Sequence, residues 1–161
     1  FIILDVDGTL TKGGILIGNS GEEFKEFNVK DGYMIASARK KCGKIFAIIT
    51  GRNSKIVSIR AKELGITHLY QGIDDKIVVY EQLKKELNIT DEETAYIGDD
   101  VNDFEVMKRV GLVGAPADAC REILETADFV SSKNGGEGAV REFLEYILKK
   151  ENSWSKIVQS N

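Results

Sequence analysis

No apolar stretch in the 161-residue sequence is long enough to cross a bilayer: the longest runs, such as Phe1–Leu4 and Ile45–Ile49, fall far short of the ~20 residues a membrane helix needs. They read as buried strands, and no membrane partner is expected. Cysteine is scarce, and Cys42 and Cys120 are far apart with no C-x-x-C spacing. Free thiols in a reducing cytoplasm are the simplest reading of that usage. The one histidine, His68, has no second nitrogen ligand anywhere in the chain, which argues against a metal or catalytic role for it. Basic charge is short as well, 22 Lys and Arg against 26 Asp and Glu for a net charge of −4, so nucleic acid is not an expected partner. No charged leader and cleavage pattern precedes Phe1, yet the sequence starts inside an apolar run without Met, so the natural start is left open.

What is present, 42% hydrophobic and 30% charged residues, fits one globular domain with a sizeable core. Short apolar runs alternate with segments of three- and four-residue apolar spacing, the pattern of β-α units feeding a parallel sheet. The runs predict strands at Phe1–Asp5, Ile45–Thr50, His68–Gln71, Thr94–Gly98, Leu112–Gly114 and Phe129–Ser131. Helices are predicted at Asp31–Lys41, Ser54–Leu64, Asp75–Leu87, Asn102–Val110, Ala117–Glu125 and Gly138–Lys149, with the single proline, Pro116, opening the fifth of them. Residues 11–28 break the alternation. Two short runs, Ile15–Gly18 and Glu23–Asn28, flank Asn19-Ser20-Gly21 and read as a β-hairpin inserted after the first strand. A lone hairpin is marginal in water, so it is expected to pack on something, such as another subunit. The domain spans 1–150, and 151–161 form a tail whose Trp154, Ile157 and Val158 are odd for a solvated end.

The chemistry gathers at strand ends. Asp5-Val6-Asp7-Gly8-Thr9 follows the first strand, where open α/β sheets place ligands. Strand alternation sets Asp5 and Asp7 on one side, and carboxylates that close repel unless a cation or a shared proton compensates. Gly8 permits a sharp turn that brings N–H groups toward an anion, and Thr9 can fix a carboxylate by a hydrogen bond. Gly98-Asp99-Asp100-Val101-Asn102-Asp103 follows another apolar strand and opens a helix. Such hard oxygen ligands suit magnesium. Thr50-Gly51-Arg52 and Lys76 add a hydroxyl, a backbone N–H and an ammonium, the donor set that surrounds a phosphoryl group.

That order of motifs resembles the haloacid dehalogenase superfamily of phosphatases, over nearly the whole chain. The resemblance implies a Rossmann-like parallel sheet sandwiched by helices, with Asp5 as a nucleophile that becomes phosphorylated and Asp7 as general acid and base. It further implies that Thr50 and Lys76 hold phosphoryl oxygens and that Mg2+ is bound by Asp5, the backbone carbonyl of Asp7, and Asp99. Asp103 acts behind these ligands or through a water. The hairpin in place of a cap, Thr50-Gly51-Arg52, the spacing from Gln71-Gly72 to Lys76 and the closing Gly135-Gly136-Glu137-Gly138-Ala139-Val140-Arg141-Glu142 look like the capless phosphatases of 3-deoxy-D-manno-octulosonate 8-phosphate. That group implies a sugar-acid phosphate substrate drawn from lipopolysaccharide biosynthesis. It also implies a homotetramer with the hairpin between subunits and the tail covering a neighbour's site. Gly8, Gly51, Arg52, Lys12 and Arg60 would then line the substrate mouth, and Arg141 with Gly136–Gly138 its exit.

A sister group acting on nine-carbon sialic-type acid 9-phosphates is similar. It carries Glu after its Thr-Gly, where this chain has Arg52, although Gly98–Asp103 and Lys108-Arg109-Val110-Gly111 resemble it too. Two other classes compete. A receiver domain also uses paired acids, a Thr and a Lys, but it places its phospho-acceptor after a later strand. A catalytically silent partner domain is disfavoured because every expected catalytic position is filled.

Overall fold

Each apolar run of the sequence becomes a short strand whose alternate residues face opposite layers of helix, which is why so little polar alternation is visible in it. In a computed structural model, described for residues 1–159, the strands are β1 (Ile2–Leu4), β2 (Leu16–Ile17), β3 (Glu23–Phe24), β4 (Phe46–Ile49), β5 (His68–Tyr70), β6 (Ala95–Ile97), β7 (Leu112–Ala115) and β8 (Phe129–Val130). The helices are α1 (Val29–Cys42), α2 (Lys55–Leu64), α3 (Lys76–Leu87), α4 (Phe104–Met107, entered by a 3-10 turn at Val101–Asp103), α5 (Arg121–Thr126), α6 (Ala139–Lys150) and α7 (Ser155–Val158). Six strands form one parallel sheet in the order β5-β4-β1-β6-β7-β8, and β2 and β3 form a separate antiparallel pair. The chain therefore starts in the middle of the sheet, winds outward to β5, and then restarts on the other side of β1. The crevice beyond the carboxyl ends of β1 and β6 is the topological switch point, the usual ligand position in such sheets.

Residue alternation divides the core in two. Ile2, Leu4, Phe46, Ile48 and Ile97 pack against α1, α2, α6 and α7, while Ile3, Ala47, Ile49 and Tyr96 pack against α3, α4 and α5. No helix of the described residues is long and apolar enough to cross a membrane.

Several expectations change in detail. Helix α1 starts at Val29, two positions before the predicted Asp31, because the Asn28 side chain accepts the Lys30 N–H at 2.8 Å and caps it. Pro116 does not open a helix. It starts a turn closed by the Ala119 N–H on its carbonyl at 3.2 Å, while the Ala117 N–H is drawn to the Lys133 carbonyl at 2.9 Å, so α5 is delayed to Arg121.

The tail also differs. Part of it packs on its own chain. Ile157 is buried in the core beside α1 and α6, and Trp154 lies under the cations of Arg141 and Lys149 at 5.6 and 5.5 Å. Residues 160–161 lie outside the described residues. The hairpin is present but shorter than expected, and Leu16, Ile17 and Phe24 are exposed on it.

Candidate active site

Parallel registers bring the sequence motifs together. Leu4 pairs with both Ile48 and Ile97, so the residues that follow each strand, Asp5, Thr50 and Asp99, emerge at one end of the sheet. The Asp5 N–H continues the ladder onto the Ile97 carbonyl at 3.0 Å. Beyond it the chain coils around the Val6 carbonyl, which accepts the N–H groups of Leu10 and Thr11 at 2.9 and 3.0 Å. Gly8 has φ +98°, and a Cβ there would stand 2.0 Å from Asp99 Oδ2, so only glycine lets the β1 loop lie against this carboxylate. The Gly135–Gly136 loop closes the same wall, since a Cβ on Gly135 would stand 1.7 Å from the Gly8 carbonyl oxygen.

Three carboxylates, those of Asp5, Asp99 and Asp103, place an oxygen each within 4.8 Å of one another. Lys76, the first residue of α3, is 1% exposed and donates to Asp5 Oδ1 and Asp103 Oδ1, both at 2.6 Å. Asp103 is fully satisfied. Its Oδ1 also accepts the Tyr96 hydroxyl at 2.5 Å, and its Oδ2 accepts the Asp99 N–H at 3.1 Å. It therefore works as a pedestal under Lys76 and the Asp99 loop. Thr9 Oγ1 donates to Asp99 Oδ1 at 3.1 Å and fixes that carboxylate.

The electrostatics follow from this crowding. Burial first, and then the Asp103 charge, push the Asp5 carboxyl well above the usual carboxylate range, with Lys76 pulling the other way. Burial and Asp103 raise Asp99 to about 6. Burial pulls the Lys76 ammonium down, but Asp5 and Asp103 together outweigh it and leave its pKa raised. One ammonium among three carboxylates leaves two negative charges uncompensated when all are ionised. A divalent cation on hard oxygen ligands matches that deficit, and Asp5 and Asp99 are the carboxylates not wholly committed to protein donors.

The remaining expected residues are more dispersed. Asp7 is on the β1 loop, outside the three-carboxylate group, with its carboxylate paired to Lys25 of the hairpin. Thr50 is buried at the end of β4, with Gly51 and Arg52 exposed after it. Arg52 pairs with Glu23 of the hairpin at 3.3 Å. Lys12 pairs with Glu137 at 3.3 Å beside the glycine loop. Arg60 is not brought to the mouth. Its guanidinium pairs with Glu63 at 2.8 Å and lies over the Phe27 ring at 5.6 Å, because α2 directs it toward the base of the hairpin. Arg141 likewise lies over Trp154 and does not line an exit.

Sequence reasoning missed Lys25, Glu23 and Tyr96. The first two carry a readable signal, because residues two apart on a strand share a face, and that face of the hairpin is charged while Phe24 points away. Tyr96 is hidden in an apolar strand.

Comparison with known proteins agrees with this arrangement. The haloacid dehalogenase-like hydrolase family matches residues 20–144. The 3-deoxy-D-manno-octulosonate 8-phosphate phosphatase KdsC of Escherichia coli (strain K12) is 49% identical over 147 residues, covering 91% of this chain and 78% of the relative. A crystal structure of the corresponding phosphatase from Yersinia pestis superposes with a TM-score of 0.93 at 47% identity, covering 96% of this chain and 83% of that one. A structure of the Moraxella catarrhalis phosphatase, in complex with magnesium ion, phosphate ion and KDO, superposes with a TM-score of 0.92 at 42% identity, covering 96% and 88%. With the motif order, the switch-point site and these likenesses in agreement, the chain belongs to the haloacid dehalogenase-like hydrolase family.

Proposed function

We propose that this chain is a magnesium-dependent phosphatase that hydrolyses 3-deoxy-D-manno-octulosonate 8-phosphate through a phosphorylated Asp5. The observation that carries the reading is the Asp5 carboxylate at the switch point, held at 2.6 Å by a buried lysine and facing Asp99. The relatives named above supply the substrate class, and the nine-carbon alternative has no such support among them.

In this reading Asp5 attacks phosphorus, forming an acyl-phosphate O–P bond as the ester P–O bond breaks and the electron pair leaves on the sugar oxygen. Asp7 gives its proton to that oxygen, then takes one from the water that cleaves the acyl phosphate, so that inorganic phosphate and free Asp5 are restored. Lys76 turns its ammonium to a phosphoryl oxygen, joined by the Thr50 hydroxyl and the Gly51 N–H. Asp5, Asp99 and the Asp7 carbonyl would hold magnesium, which would supply positive charge against the repulsion between an attacking anion and the phosphoryl oxygens. In this reading Arg52 and Lys12, paired with Glu23 and Glu137 here, turn to the anionic sugar at the rim. The enzyme acts in the cytoplasm on a lipopolysaccharide precursor, as a homotetramer in which the apolar faces of the hairpins meet. The exposed Leu16, Ile17 and Phe24 support that assembly.

Phosphate release from a panel of sugar-acid phosphates tests the reading. The eight-carbon 8-phosphate should lead the nine-carbon 9-phosphates in kcat/KM by about tenfold or more, the scale of one well-placed contact, and chelation should abolish turnover. The reverse order of substrates, or turnover that survives exhaustive chelation, sinks it.

A further inference from the structure

The hairpin does more in this fold than offer an apolar face. Its charged side carries Glu23 and Lys25, and Lys25 is the most deeply held cation outside the Lys76 cluster, with its side chain 1% exposed. The Lys25 ammonium pairs with the Asp7 carboxylate and lies 3.4 Å from Glu23, and Glu23 in turn pairs with Arg52 at 3.3 Å. Four alternating charges thus run from the β1 loop, across the hairpin, to the loop after β4. Glu23 lies in a two-stranded ladder that would be marginal alone, and Lys25 follows directly after it. The ladder is held to the body of the enzyme by the charges at its base.

We infer that Lys25 is a positioning residue: it holds the Asp7 carboxylate in the direction of the leaving group, so that the hairpin must be seated for proton delivery to occur. The inference deepens the proposed function and rests on the reading of Asp7 as proton donor. Three features support it. Lys25 reaches no other described acid than Asp7 and Glu23, so its burial is not explained by substrate-free surface packing. Asp7 has no other side-chain partner among the described residues, so without Lys25 its rotamer is unconstrained. Glu23 balances the second side of the ammonium and ties it to Arg52, which keeps Lys25 from swinging into the phosphoryl pocket that Lys76 serves.

The role makes a distinction that packing alone does not. A sugar alkoxide is a poor leaving group and needs a proton, whereas p-nitrophenolate departs without one. For Lys25→Met, the single-turnover rate of phosphoryl transfer from the octulosonate 8-phosphate, which ends before the water step that also uses Asp7, should fall about 10- to 100-fold, part of the roughly 10²–10⁴-fold scale of general acid catalysis, while KM stays within about threefold. With p-nitrophenyl phosphate the single-turnover burst of p-nitrophenolate, which precedes that water step, should stay within about threefold of the parent rate in the same variant, which also reports that it is folded. Lys25→Arg, which keeps the charge, should restore most of the loss. Asp7→Asn is run beside them. If Asp7→Asn lacks the leaving-group dependence, the reading of Asp7 itself has failed. If Asp7→Asn shows the dependence and Lys25→Met loses both substrates equally, loses only KM, or loses nothing, Lys25 does not position Asp7. Should Lys25→Met fail to fold, Lys25→Gln is measured in its place by the same ratio.

Discussion

A buried lysine between two carboxylates is a balanced arrangement only while all three members are present. Removing the Lys76 ammonium leaves Asp5 and Asp103, 4% and 0% exposed, as desolvated anions with no cation. Breaking a buried pair in this way typically costs about 3–5 kcal/mol. Lys76→Met is therefore expected to lose both turnover and thermal stability at pH 7. Because burial holds the Asp5 carboxyl well above the usual carboxylate range, the variant's stability should recover as pH falls and Asp5 takes up a proton; a melting temperature indifferent to pH would contradict this. At the residue scale Asp5, Asp99, Thr50 and Lys76 were legible because each ends a strand or opens a helix beside a glycine or a second acid. Tyr96 was not, since nothing in its apolar strand marks Asp103 as the partner of its hydroxyl, and the alternation that sets Lys25 beside Glu23 does not say that Asp7 is what it meets. Asp91, in the acidic run Asp91-Glu92-Glu93, is tied down rather than free: it accepts from Tyr80 and Lys84, both at 2.6 Å, and pairs with Arg109 at 3.4 Å.

Helix α6 enters through Gly138, which has no side chain to cap it, and the cap is supplied from another element. Asp31 of α1 is 1% exposed, and its Oδ1 accepts the Arg141 N–H at 2.7 Å. Its other oxygen has no partner among the described residues. Burial raises this carboxyl to about 6, against the hydrogen bonds from the Arg141 and Gly138 backbones that favour its charge. Since the folded pKa lies above the ordinary value of 3.8, the fold binds the proton more tightly than the unfolded chain does. The stability this confers is complete below pH 3.8 and is lost as pH rises through about 6. Asp31→Asn keeps the acceptor and removes the charge, so it should melt higher than the parent at pH 7.5 and no higher at pH 4; equal differences at both would refute the assignment. The element pattern was readable where apolar runs are long, as in β4, and failed where tertiary contacts override local signals. Pro116 is one such case. The tail is another: Trp154 and Ile157 were rightly taken as too apolar for solvent, but the surface that covers them is α1 and α6 of the same chain.

At the scale of the whole molecule, the parallel sheet places every strand-end motif at one edge, and that convergence made the family recognisable before any geometry was known. Composition could not say what meets the hairpin. Its outer face presents Leu16, Ile17 and Phe24, 63%, 67% and 57% exposed, on an element with almost no backbone ladder of its own. Light scattering should give a mass near four times 17.8 kDa, and Leu16→Glu with Ile17→Glu should lower it; a monomer at micromolar concentration would remove the assembly from the account. The central claim is that phosphate passes through Asp5, and it is tested most directly by quenching the enzyme during turnover, reducing acyl phosphates with borohydride, and sequencing the peptides by mass. The account predicts homoserine at position 5 and nowhere else, dependent on substrate and magnesium. An unmodified Asp5 in enzyme caught turning over, or homoserine at another carboxylate, would contradict it.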